Sequence, residues 1–201
     1  MISPDAQLSI WITGLAGRIP FVDHLMTLLA SDFFVPVCLS LTLLGFWFGT
    51  QDPAQRRRNQ WGVMGASFAL GIANLIVWLL NHPLSFDPWP RPFEVHESAR
   101  QAVGLVFYMP HDPSFPSNGA AAFFAAAVGM WLRNPKASIP LFTLAILWSF
   151  ARVYAGVHYP LDILGGAAIG AFTGYVCFKI LCWGELKIAL IFKLARLLYL
   201  A

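Results

Sequence analysis

Long stretches of this chain contain no Asp, Glu, Lys or Arg, and short basic breaks separate them. In a bilayer every backbone polar group must be satisfied within the segment, so apolar runs of about 20 residues are constrained to be helices. Residues 33–51 form one such run, and 59–86 a second, best centred on 61–80. A third covers 113–132, a fourth 137–151, and a fifth 161–183, interrupted late by Lys179. The N-terminal segment 5–30 is apolar but broken by Arg18, Pro20, Asp23 and His24, which suits an interfacial or re-entrant helix better than a span. The tail 186–201 carries Lys187, Lys193 and Arg196 and is expected to lie along the interface. The expected fold class is therefore all-α: a polytopic membrane bundle of about five transmembrane helices plus an N-terminal interfacial helix.

Composition agrees. Charged residues make up 11% of the chain, against about 25% for a soluble domain. Aromatics reach 15%, as expected where rings meet lipid and headgroups. A disordered chain, a secreted disulfide scaffold and a soluble DNA-binding module are excluded, and a net charge of +3 is too weak to argue for a nucleic-acid partner. Cys38, Cys177 and Cys182 all lie in apolar runs and read as small core residues. No cleavable signal peptide is expected, since the first residues are acidic and 11–20 lacks a long apolar core. The length of 201 residues fits one domain, 1–201.

Loop charges predict orientation. Arg56, Arg57 and Arg58 lie between runs one and two, Arg133 and Lys136 between three and four, and Lys179, Lys187, Lys193 and Arg196 at or after the fifth. With five spans these clusters share one side, which the positive-inside rule makes cytoplasmic, together with the C terminus. The loop 81–115 and the turn 152–160 then face the periplasm or exterior of a cell membrane.

Polar chemistry accumulates on that face. Pro160 suits a first helical position, which places Asp162 in the first turn, four residues beyond His158. A carboxylate there can fix one imidazole nitrogen and leave the other as a free lone pair, the logic of an activated nucleophile. Arg152 offers a planar fork suited to phosphate. Pro116-Ser117 precedes an alanine-rich run, so Ser117 reads as a helix N-cap, and the backbone N–H groups of Asn118 and Gly119 as an anion site. Arg91, between Pro90 and Pro92, is a further basic contributor. Each feature alone also reads as ordinary capping or interfacial anchoring. Together they describe a cradle for a tetrahedral dianion beside a nucleophile.

These residues resemble the type 2 phosphatidic acid phosphatases, which share their core with vanadium haloperoxidases. The resemblance rests on Arg152, His158 and Asp162 within Arg-Val-Tyr-Ala-Gly-Val-His-Tyr-Pro-Leu-Asp, on Arg91-Pro92, and on Pro116-Ser117, and runs over about 81–170. It implies that His158 attacks phosphorus to form a phosphohistidine, with Asp162 orienting it. It implies phosphate binding by Arg91, Ser117, Arg152 and the backbone near Asn118 and Gly119. No metal and no cofactor is implied; the partners are a lipid phosphate or diphosphate and the bilayer. The chain is most like the short bacterial undecaprenyl-diphosphate phosphatases, which act on a lipid diphosphate released at the outer leaflet after cell-wall polymer transfer.

Three positions depart from the family pattern. Leu84 stands at its lysine, Ala151 at a serine, and Gly119 at a second histidine that normally protonates the leaving group. A phosphomonoester expels an alkoxide whose conjugate acid has a pKa near that of water, about 15.7, and a general acid is worth about 10²–10⁴-fold for such a step. A diphosphate expels a phosphate monoester with a second pKa of about 6, so it needs the proton far less. The diphosphate reading therefore survives Gly119 best. Beside it stand a lipid monophosphatase, a disabled lipid-phosphate-binding or translocating protein, and a rescued enzyme with His111 as substitute acid.

Overall fold

The structure, a computed structural model, describes residues 3–82 and 89–184, and all its regular structure is helical. The elements are α1 (Pro4–Thr13), α2 (Pro20–Ala30), α3 (Phe34–Phe48), α4 (Pro53–Asn81), α5 (Pro92–Val95), α6 (Glu97–Val106), α7 (Asn118–Trp131), α8 (Pro135–Tyr154) and α9 (Pro160–Trp183). Their starts follow from local chemistry. Asp52 accepts a hydrogen bond from Gln55 N–H at 3.0 Å, with Pro53 opening α4. Asn134 caps α8 before Pro135, and Ser117 caps α7 by accepting from Ala120 N–H at 3.5 Å. Such caps are each worth about 1 kcal/mol.

The expected runs reappear as α3, α4, α7, α8 and α9, and they differ in length. Among the described residues three helices, α4, α8 and α9, are each long and apolar enough to cross a membrane. A fourth span exists if α2 and α3, bent by 59° about the break at 31–33, count as one. The N-terminal part is thus two short helices, with α2 leading into α3 through that bend. The remaining run, α7, is only 14 residues long. It is instead the buried centre of the bundle, lying against α4, α8 and α9. Leu84 and the tail 186–201 lie outside the described residues.

Small residues let α7 and α9 pack backbone to backbone. A Cβ on Gly166 would meet Ser117 O at 2.4 Å, and one on Gly170 would meet Ala121 O at 2.2 Å. This small-residue seam runs along two helices that start side by side, since Ser117 N–H donates to Asp162 O at 3.1 Å. At the other end, Asn134 Nδ2 donates to Asn59 Oδ1 at 2.7 Å, joining the starts of α4 and α8. The basic groups near Asn59 and Arg133 therefore share one end of the bundle, and residues 91, 112–119 and 152–162 share the other. Between the ends, outward side chains such as Leu41, Phe68, Ile146, Leu164 and Phe172 are exposed apolar groups, as a lipid-facing wall requires.

Candidate active site

A cavity of about 470 Å³ opens at the second end. Its polar lining carries Arg91, Asp112, Asn118, Arg152 and His158, with Asp32 and Tyr108 beside Arg152. The rest of its lining is Pro36, Leu39, Leu70, Ala122 and Phe123, with the polar Ser40 and Asn74 among them. The structure thus brings together Arg91, Asn118, Gly119, Arg152 and His158 from three separate stretches. Ser117 and Asp162 are buried behind them, and His111 is an exposed loop residue outside the cavity lining.

His158 stands on the turn between α8 and α9. This turn closes through Gly156, whose φ of +74° suits glycine and which leaves a Cβ no room against Ala99 O, 2.6 Å away. His158 Nδ1 lies 3.0 Å from the Ser114 carbonyl oxygen. A carbonyl can only accept, so Nδ1 carries the proton and Nε2 keeps its lone pair. The Asp162 carboxylate is further off, its Oδ2 3.5 Å from Nδ1. Asp162 instead accepts from Ser114 Oγ at 2.5 Å and from the Tyr159 backbone N–H at 2.7 Å. The expected pairing of imidazole with carboxylate is therefore relayed: Asp162 fixes Ser114, and the Ser114 carbonyl fixes the ring. Burial pushes the His158 imidazole below its ordinary pKa; the Asp162 carboxylate pulls it up, while Arg91 and Arg152 push it further down. Burial, the largest of these influences, favours the uncharged ring.

The two arginines differ. Arg91 Nε donates to Asp112 O at 2.8 Å, Nη1 to Val157 O at 2.7 Å and Nη2 to Pro113 O at 3.4 Å. Its Nη2 also pairs with Asp112 Oδ1 at 2.9 Å. Of its five N–H groups one is left uncommitted, so Arg91 mainly ties the 112–114 loop to the turn bearing His158. Arg152 is held by ring faces instead. Its guanidinium lies 4.2 Å from the Phe107 centroid and 4.5 Å from that of Trp148. Its Nη2 pairs with Asp32 in the α2–α3 break, and its buried Nε has no acceptor. Tyr108 donates to the other oxygen of Asp32 at 2.7 Å. Sequence reasoning missed Ser114, Asp32, Asp112, Tyr108 and Trp148; the one visible signal was the polarity of Asp112 and Ser114 within the proline-rich loop.

The sequence profile of the PAP2 superfamily matches residues 62–183. The chain belongs to that superfamily. It is 31% identical over 171 residues to the undecaprenyl-diphosphatase BcrC of Bacillus subtilis (strain 168), covering 84% of this chain and 79% of that one. It is 27% identical over 177 residues to the decaprenylphosphoryl-5-phosphoribose phosphatase of Mycobacterium tuberculosis (strain H37Rv), covering 87% and 90%. Among solved structures it resembles Aquifex aeolicus LpxE, with a TM-score of 0.59 at 26% identity, covering 89% of this chain and 96% of that one. The PAP2 profile begins inside α4 and ends with α9, so it takes in most of the cavity wall but not Asp32 in the α2–α3 break or Pro36, Leu39 and Ser40 of α3.

Proposed function

We propose that this PAP2 protein, a multi-pass membrane lipid phosphatase, removes the terminal phosphate of an isoprenyl diphosphate, converting undecaprenyl diphosphate to undecaprenyl phosphate. The observation that carries the reading is the cavity: the His158 imidazole and the Arg152 guanidinium line it together with the apolar side chains of Pro36, Leu39, Leu70, Ala122 and Phe123. The apolar side chains suit a lipid tail and the polar lining its phosphates.

In this reading the His158 Nε2 lone pair attacks the terminal phosphorus. The P–N bond forms as the bridging P–O bond breaks, and undecaprenyl phosphate leaves with that electron pair. Ser114 O accepts the hydrogen bond from Nδ1–H throughout, so the imidazolium-like charge that develops meets a dipole already oriented toward it. Water then attacks the phosphohistidine phosphorus, inorganic phosphate departs, the electron pair returns to Nε2, and the water proton passes to solvent. Arg152, the remaining Arg91 hydrogen and the N–H groups at the start of α7, near Asn118 and Gly119, bind the equatorial oxygens. Ser117 keeps that helix start open by capping it. The positive-inside rule supports placing the cavity on the outer face of the cell membrane, because Arg56, Arg57, Arg58, Arg133 and Lys136 occupy the opposite end.

The M. tuberculosis relative gives a second reading, a lipid monoester phosphatase. Phosphate release by purified protein in detergent separates the two. Release from undecaprenyl diphosphate exceeding that from phosphatidic acid, and abolished by His158→Ala, is expected. Faster release from phosphatidic acid would favour the monoester reading. Release from neither, with lipid binding retained, would sink both in favour of a disabled binder.

A further inference from the structure

Position 119 is the second residue of α7 and lines the cavity. A Cβ there would sit 2.1 Å from Trp148 Cη2, 2.5 Å from Cζ2 and 2.7 Å from Cζ3. No real side chain tolerates such distances, so the indole occupies the space that any residue larger than glycine would need. The indole is also hard to displace. Phe123 meets it edge to face at a centroid separation of 5.1 Å, and the Arg152 guanidinium lies 4.5 Å from its centre. Trp148 is 5% exposed. Gly119 and Trp148 are thus a complementary pair, one on α7 and one on α8.

The indole has an N–H but no proton to give up near neutral pH. Elsewhere in the cavity wall, the carboxylates of Asp32 and Asp112 are paired with Arg152 and Arg91. The Tyr108 hydroxyl donates to Asp32, and burial followed by that bond raises its pKa. Beyond His158 itself, no lining side chain among the described residues is poised to protonate an alkoxide. From this geometry we infer that Trp148 is the specificity-determining residue of the site: by filling the space beside position 119 it excludes a general acid and confines turnover to phosphoanhydrides, whose leaving group needs no proton. This rests on the phosphatase reading above and goes beyond it by assigning the choice of bond to one aromatic ring.

The test uses the full chain in detergent, assayed on undecaprenyl diphosphate and on phosphatidic acid. The native protein, Gly119→His, Trp148→Ala, Trp148→Phe and the Gly119→His/Trp148→Ala double variant are compared, with monodispersity checked for each. Gly119→His alone should lose diphosphate turnover at least tenfold and gain no monoester turnover, because imidazole and indole compete for one space. The double variant should gain phosphatidic acid turnover at least tenfold over the native protein. Trp148→Phe removes the indole atoms that meet position 119 but brings in no acid, so it should keep the native preference. Should the double variant fail to fold, Trp148→Ala with added imidazole gives the same reading, with monoester release expected to rise with imidazole concentration.

Monoester turnover by Gly119→His alone would overturn the inference. So would its absence both from a folded double variant and from imidazole-treated Trp148→Ala. A native protein that prefers the monoester, or cleaves neither lipid, would instead overturn the diphosphatase reading itself.

Discussion

Two arginines, one at each end of the bundle, are held by the same physical device and left in different states. Arg133 lies between Trp61 and Phe178, 5.0 and 5.1 Å from the ring centroids, and donates to Cys182 Sγ at 3.2 Å. Arg152 lies between Phe107 and Trp148, faces a cavity, and pairs with a carboxylate from the N-terminal break. A ring face fixes the guanidinium plane without consuming its N–H donors, which all lie on the edge. At the basic end that device joins α4, α7 and α9. At the cavity end it presents an oriented cation to whatever enters. The lesson is that holding an arginine and using it are separable, and the cavity decides between them.

The comparison can be broken at several strengths. The reference for complete loss is His158→Ala, expected to cut phosphate release by about 10⁴-fold or more while retaining diphosphate lipid binding. Next comes Arg152→Lys, which keeps the charge but loses the planar fork; kcat/KM should fall by about 10²–10³-fold. Arg133→Lys is its counterpart and should leave kcat/KM unchanged while lowering Tm by about 2–4 °C for each kcal/mol of lost cation–π contact. Equal kinetic effects from the two lysine variants would erase the distinction between the ends.

A smaller effect is a shift rather than a loss. His158 must be neutral to attack, and burial lowers its pKa, so the acidic limb of the kcat/KM profile should lie below the ordinary histidine value of about 6.5. The Asp162 carboxylate favours the protonated ring, so Asp162→Asn should move that limb to still lower pH as well as slowing turnover. A limb at or above pH 6.5 in the native protein would contradict the buried, neutral imidazole. The smallest effect concerns Asp32, which occupies the Arg152 edge that a phosphate oxygen would use. Asp32→Asn should strengthen inhibition by inorganic phosphate, by no more than about tenfold, equivalent to 1.4 kcal/mol. Weaker inhibition would mean that Asp32 positions Arg152 rather than competing for it.

Sequence made some of this legible and hid the rest for identifiable reasons. The starts of α7 and α9 were readable because Ser117, Pro160 and Asp162 act within one helical turn. The sharing of one end by His158 and Arg152 was readable because they flank a single short turn. The length of α7 was misjudged because an apolar run says nothing of where a Pro-rich loop keeps the backbone extended; residues 113–117 belong to that loop. The Gly166, Gly170 and Gly174 stripe is plain in the sequence, yet acquires meaning only against the alanines of α7. Asp32 was out of reach because it meets Arg152 across 120 residues. Ser114 was missed because its working atom is a backbone oxygen, which no residue type announces. Trp148 lies four residues before Arg152 on one face of α8, so its stacking was open to helical spacing, but its collision with position 119 was not.

The shortness of α7 carries a consequence for the membrane itself. Fourteen residues rise about 21 Å, against a hydrocarbon core of about 30 Å. If the Arg133 end sits at one headgroup layer, the start of α7 and the floor of the cavity lie below the opposite one. The tail of a lipid phosphate would then stay among the acyl chains while only its headgroup moves into the cavity, with no need to lift the lipid out of the leaflet. Turnover in vesicles should accordingly respond to the acyl length of the host lipid, because a thicker leaflet submerges the site further while the protein stays the same.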